Sequence, residues 1–288
     1  MLKWLIGLGL SLSMIPVIIV WGMTGSQSLR ARFVREARRL ATGSVVPHSV
    51  VTEVDLATLP SPVRRYLRAA GVVGRPRPHA YRLTFSGRIR GGLAEPWMPF
   101  TAEQYSSVDE PVRLFYMRAS RGGVPLAVFH RYVGGVASMQ VKLAGLFTLV
   151  DAHGPEMNRS ETVTVFNDMC LLAPGTLLDS RVTWRERDER SADASLTVGG
   201  ETVSATLTFD EHGMLANFES HDRSRASADG RSFTLLPFLT PVRAHDTFDG
   251  VVLARSAEAQ WRLPDGQTFA YAEFTMKSAT FTPPSVDE

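Results

Sequence analysis

The second half of the chain alternates apolar and polar side chains with a period of two. Ala194, Leu196 and Val198 lead into Gly199-Gly200, after which Val203, Ala205, Leu207 and Phe209 alternate with Thr202, Ser204, Thr206 and Thr208. Two such runs around a Gly-Gly pair predict a hairpin, because glycine accepts the positive φ that tight strand connections require. The same period runs through Tyr81, Leu83, Phe85 and Ile89, set against Arg82, Thr84, Ser86, Arg88 and Arg90. It returns in Ala257, Ala259, Trp261 and Leu263, set against Glu258, Gln260 and Arg262. Further strands are predicted over 114–117, 136–143 and 214–219, with turns at Asp229-Gly230, Asp249-Gly250 and Asp265-Gly266. Strands at this spacing predict a mainly β (α+β) domain: a curved antiparallel meander sheet, half-barrel or barrel-like, with a few covering helices. Each strand has one apolar face, so one covered side of the sheet is expected to suffice.

Two stretches break the period. Between Leu2 and Met23 the only charge is Lys3, and Trp4 and Trp21 stand near the two ends. At roughly 1.5 Å per residue such a run spans about 30 Å, the thickness of a bilayer core, with tryptophans where the interface prefers them. It predicts an N-terminal transmembrane helix that remains uncleaved; a signal peptide is its rival. Arg30, Arg32, Arg35, Arg38 and Arg39 come next, against only Glu36. They predict a basic juxtamembrane helix at the membrane surface, as a stop-transfer flank or on anionic headgroups. The positive-inside rule favours a cytoplasmic body, whereas short N-terminal anchors commonly export the domain behind them, so both sides stay open. The resulting division is an anchor over 1–25, a basic helix and linker over 26–58, and a single β-rich domain over 59–282. Within the domain Ser61-Pro62 opens a short helix that stops at Gly71, with Val63, Tyr66, Leu67 and Ala70 on its apolar face.

The second break is DAHGPEMNRSETVTVFNDMCLLAP at 151–174, which gathers Asp151, His153, Glu156, Arg159, Glu161, Asn167 and Asp168. Gly154-Pro155 before Glu156 is a helix start and Pro174 a stop, although the β-branched run 162–165 argues the other way. A helix sets Arg159, Val163, Phe166 and Cys170 together and Glu161, Thr164 and Asp168 on another face. Glu161 and Asp168 are then two turns, about 10.5 Å, apart along the axis, too far to flank one bond unless the side chains lean together. The plainest expectation is an amphipathic helix whose charges face solvent or the arginines of the sheet, with Glu156 and Arg159 paired. A polar pocket beneath the helix is the second. The other cluster of suitable residue types is Ser220-His221-Asp222-Arg223 at the end of a strand. The candidate ligand-binding residues are therefore Arg159, Glu161, Asn167, Asp168, His221, Asp222 and Arg223.

Charge and composition narrow the classes. A net charge of +2 gives no bulk case for nucleic acid, and the one cysteine, Cys170, excludes an intramolecular disulfide or a cysteine-based metal cluster. The seven histidines fall in no metal-ligand spacing, and the chain holds no nucleophile elbow, phosphate loop or dinucleotide fingerprint, so no metal or cofactor is expected.

The segments LPSPVRRYLRAAG at 59–71, EPWMPFTAEQ at 95–104, 145–179 around the charged block, VSATLTFDEHGMLANFESHDR at 203–223 and WRLPDGQTFAYAEF at 261–274 resemble a bacterial family known only as a domain of unknown function. The resemblance implies a single N-terminal anchor before a β-rich body, similar to the curved half-barrels of lipoprotein-sorting and lipid-carrying proteins, and carries over no catalytic residue. Three functions remain: a membrane-tethered binder of a lipid or other apolar ligand, an envelope scaffold, or a hydrolase using Glu161, Asp168, His221 or Asp222. The first is preferred.

Overall fold

In a computed structural model that describes residues 20, 22–41 and 49–281, thirteen strands form one antiparallel sheet. The chain begins the sheet at its middle with β1 (Ala80–Ile89) and steps outward through β2 (Met98–Ser107), β3 (Val112–Arg121), β4 (Val124–Val133), β5 (Val136–Leu143) and β6 (Phe147–His153). It then crosses to the opposite edge and steps back through β7 (Val182–Asp188), β8 (Ser191–Val198), β9 (Glu201–Phe209), β10 (Leu215–Ser220), β13 (Phe238–Phe248), β14 (Val251–Arg262) and β15 (Thr268–Phe281). β15 pairs with β1, so the two meanders join and the free edges are β6 and β7. A small hairpin, β11 (Ser224–Ala226) with β12 (Phe233–Leu235), leaves the meander between β10 and β13. The Gly199-Gly200 hairpin and the three Asp-Gly turns stand where the alternation predicts them, Gly199 and Gly200 both at positive φ.

Among the described residues the helices packed on this sheet include α1 (Leu29–Ala41), α2 (Glu53–Leu56), α3 (Ser61–Ala69) and α4 (Pro155–Leu172). Helix α4 and the 3-10 turn Pro174–Leu178 are the crossover from the β6 edge to the β7 edge. The helix packs on β5 and β6 and also on β8, β9 and β10, which lie far away in strand order. Only a sheet curved around the helix brings those strands to one cylinder, so the sheet is an open half-barrel with α4 along its concave side. One apolar core, including Phe85, Tyr132, Phe166, Leu207, Phe218 and Trp261, runs continuously across it.

The sheet is covered on more than one side. The apolar stripe of α1, Leu29, Phe33 and Ala37, packs on the opposite face against Tyr105, Leu114, Tyr116 and Phe129. Residues 112–117 are consequently buried on both faces, which is why they form an unbroken run and why the alternation marks only part of β3. This corrects the expectation of a single covered face. The helix expected at the membrane surface is docked on the sheet, with Phe33 stacked at 6.0 Å on Tyr116. Residues 49–58, expected as linker, carry α2 and place Val51 and Leu56 in the main core. Among the described residues no helix is long and apolar enough to cross a membrane. The predicted anchor over 1–25, apart from Val20 and residues 22–25, lies outside the described residues.

Candidate functional site

The start of α4 follows from Gly154 at φ 107 and Pro155 in the first turn, and the helix gives way at Ala173 before Pro174. Its β-branched run is tolerated because Thr162 and Thr164 donate their hydroxyls to the carbonyls of Asn158 and Ser160, and because Val163 and Phe166 are fully buried. The amphipathic expectation is corrected here. Twelve of the eighteen residues are buried, Glu161 and Asp168 among them, since sheet surrounds the helix on several sides.

The two carboxylates, far apart along the helix axis, meet on one cation. Arg113 of β3 donates from Nε to Asp168 Oδ2 at 2.6 Å and from Nη1 to Glu161 Oε2 at 3.2 Å. The long guanidinium spans the two helical turns, and the side chains lean toward it. Strand register assembles the rest. Ser106 pairs with Arg113, and Arg113 with Tyr132, so β2, β3 and β4 present Gln104, Ser106, Arg113, His130 and Tyr132 toward the helix. Gln104 donates to Asp168 at 2.8 Å and to Ser106 at 3.0 Å. His130 Nδ1 lies 3.1 Å from Glu161 Oε1, and the hydroxyls of Tyr132 and Thr162 share a hydrogen bond of 3.0 Å.

Burial alone would raise the Glu161 carboxyl, but the His130 ring, Arg113 and Arg223 outweigh it and hold the group at about 2. For Asp168 burial dominates: its carboxyl is pushed above the ordinary carboxylate range, helped by the Glu161 charge and opposed by Arg113 and Gln104. Burial also pushes the Cys170 thiol well above its usual range, and Tyr66 donates to the Cys170 carbonyl at 2.6 Å. Glu161 is therefore a fixed anion at neutral pH and Cys170 an inert thiol, poor choices for proton transfer or nucleophilic attack.

The other predicted residues divide into separate places. Arg159 ties the helix to the far flank through Glu201 at 2.8 Å and Asp222 at 2.6 Å, in place of the expected pairing with Glu156. Asp222 also accepts from the backbone and hydroxyl of Ser204. Asn167 donates to Thr240 at 3.0 Å. Arg223 lies over Phe238 and Trp261, 4.2 and 5.1 Å from the ring centres, and donates to Tyr271 at 2.9 Å. His221 makes none of these contacts; it is 69 % exposed, 3.3 Å from Glu219. It lines an open polar groove of about 470 Å³ on the outer face of β7–β10 with Trp184, Arg187, Asp193, Ser204 and Glu219. Sequence reasoning missed Gln104, Arg113 and His130. The one available signal was a charge or amide breaking the inward apolar phase of its strand, as Arg113 does before Leu114–Met117.

Little space is left on the concave side. A crevice among Tyr81, Arg113, Val165, Met169, Leu196 and Val198 has room for about 20 Å³. That suits one water, whereas small-molecule sites hold roughly 300–1,000 Å³. Among the described residues no group of His, Cys, Asp and Glu is arranged to hold a metal ion.

An open antiparallel half-barrel with a buried crossover helix along its concave side is the class that fold and site define. The chain belongs to a family of unknown function, DUF6544, whose profile matches residues 49–274. No curated protein matches the chain. Among solved structures it is similar to a lipoprotein-sorting protein domain from Vibrio parahaemolyticus, at 10 % identity and TM-score 0.40, covering 70 % of this chain and 85 % of that one. It is also similar to a DUF1329 family protein from Desulfovibrio piger, at 12 % identity and TM-score 0.43, covering 78 % of this chain and 94 % of that one. These are likenesses of overall fold alone.

Proposed function

We propose that the protein is a non-catalytic, membrane-tethered binding module that meets lipid at its surface and does not sequester a ligand inside the half-barrel. The observation that carries this is the filled concave side: α4 occupies it, with Val163, Phe166 and Cys170 at 0 % exposure. An acyl chain entering there must displace a helix held at Asp168 by Arg113, at the Cys170 carbonyl by Tyr66, at Arg159 by Asp222 and at Asn167 by Thr240. The β11–β12 hairpin restrains it further, since the Ser224 N–H donates to Ser160 Oγ at 2.9 Å. Tethering is supported by the apolar run between Leu2 and Met23, and under this reading the protein belongs to the cell membrane. The buried charges then serve to orient α4 within the sheet. The test is native mass spectrometry of the full chain extracted in detergent, together with transfer of labelled phospholipid between vesicles. The expected result is a lipid-free mass after detergent exchange and transfer no faster than the protein-free rate. A one-to-one lipid adduct that survives exchange, or accelerated transfer, would overturn the proposal in favour of a carrier.

A further inference from the structure

Exposed apolar side chains gather at one end of the sheet, where the β1–β2, β3–β4 and β5–β6 turns stand side by side. Glu95 of the first lies 3.8 Å from Arg121 of the second, and the Ala144 N–H of the third donates to the Pro125 carbonyl at 2.7 Å. This rim exposes Leu93, Val124, Leu146, Phe147 and Leu149, with Phe147 at 65 % and Leu149 at 48 %.

The N-terminal apolar sequence enters the described chain at the same place. Gly22 is buried against the β5–β6 turn so closely that a Cβ on it would lie 2.9 Å from the Ala144 carbonyl oxygen and from Leu146 Cδ2. Gly145, at φ 71, has the Gly22 backbone directly against it in return. Val20, at the end of the apolar run, is 60 % exposed. The turn and the end of the predicted anchor thus pack backbone against backbone.

The two free edges of the sheet differ in a way that water alone does not explain. The β7 edge exposes Arg185, Glu186, Arg187 and Asp188, the charged form that keeps an open strand from pairing with other molecules. The β6 edge exposes Phe147, Thr148 and Leu149 at the end beside this rim, with Asp151 and His153 exposed only farther along the strand. Further along the rim Trp97 is flanked by Arg88 and Arg90 at 4.7 and 4.4 Å. Arg90 and Arg225 bond backbone carbonyls there, and neither has an ion-pair partner among the described residues. Tryptophan beside uncompensated arginine suits the headgroup layer of an anionic membrane.

We infer that this rim, led by the β5–β6 turn, lies in the interfacial layer of the bilayer that takes the N-terminal segment. Phe147 and Leu149 reach the acyl chains, and Trp97 and Arg90 stay among the headgroups. The inference rests on the membrane-tethered reading and specifies which surface meets lipid.

Cys170, fully buried, leaves the folded protein free for labelling at an introduced thiol. Full-length Phe147→Cys, Leu149→Cys and, from the opposite end of the sheet, Val136→Cys are labelled with an environment-sensitive fluorophore. They are then reconstituted into phosphatidylethanolamine–phosphatidylglycerol vesicles. All three positions are exposed, Val136 at 60 %, so folding is not at stake. Labels at 147 and 149 are expected to be quenched by nitroxide-bearing lipid, and several-fold less by aqueous iodide than the label at 136. Equal iodide quenching at all three positions, in protein that resists alkaline carbonate extraction, overturns the inference and leaves tethering intact. Release by carbonate overturns tethering and the inference with it.

Discussion

Replacing Arg113 by methionine isolates the electrostatics of the concave side. Methionine retains much of the side-chain volume, and Arg113 is only 8 % exposed, so the main loss is its charge and hydrogen bonds. Glu161 keeps His130 at 3.1 Å, whereas Asp168 loses the one cation in contact with it among the described residues. A buried carboxylate without a counter-charge takes up a proton, which limits the cost. From an ordinary value of 3.8, protonating Asp168 at pH 7 costs about 4 kcal/mol at ~1.4 kcal/mol per unit. At pH 5 the same step costs about 2 kcal/mol. Because burial already raises Asp168 in the parent, urea denaturation followed by circular dichroism is expected to show Arg113→Met destabilised by at most about 4 kcal/mol at pH 7 and at most about 2 kcal/mol at pH 5. Adding Asp168→Leu to Arg113→Met is expected to recover most of the loss, because the pair is then replaced by apolar surface. A penalty that is independent of pH, or that the second substitution does not relieve, would refute the argument that α4 is oriented by this charge pair.

Glu161, held near 2 against an ordinary 4.5, contributes stability that is complete above about 4.5 and lost as pH falls toward 2. Glu161→Gln should flatten the acid limb of stability in that window; urea midpoints from pH 6 to 2 that run parallel to the parent would refute this. Phe33→Ala removes the buried anchor of α1 and should cost about 3–5 kcal/mol, with hydrogen exchange over residues 29–41 rising before the rest of the sheet. The Cys170 thiol should react with a disulfide reagent only at the rate of unfolding, since it is fully buried and its proton is held tightly; a fast phase under native conditions counts against that. His221→Ala, at an exposed position, should change stability by less than about 0.5 kcal/mol, measured as a urea midpoint.

What the sequence made legible was whatever repeats locally. The alternation in 194–209 and 257–263 has one face on the core and one in water, so β8, β9 and β14 stand out. β3 does not, because α1 and α4 cover its two faces and remove the polar phase, and neither helix is near it in the chain. The same blindness affected the site. Glu161 and Asp168 were found because they crowd one helix, but their meaning depends on Arg113, which is 48 and 55 residues away. Helical spacing correctly separated the carboxylates and still gave the wrong expectation, because it says nothing about a long cation arriving from the sheet. Register supplied that cation, and register was the quantity a single sequence left undetermined. The apolar residues of the β5–β6 turn carried no periodic signal at all. They acquire meaning only from Gly22 lying against Gly145, where the end of the apolar N-terminal run meets the Phe147–Leu149 end of the β6 edge. A hydrophobic turn alone is an aggregation liability; packed against the end of the N-terminal apolar run, it is the surface that the proposed tether would bring to the bilayer interface.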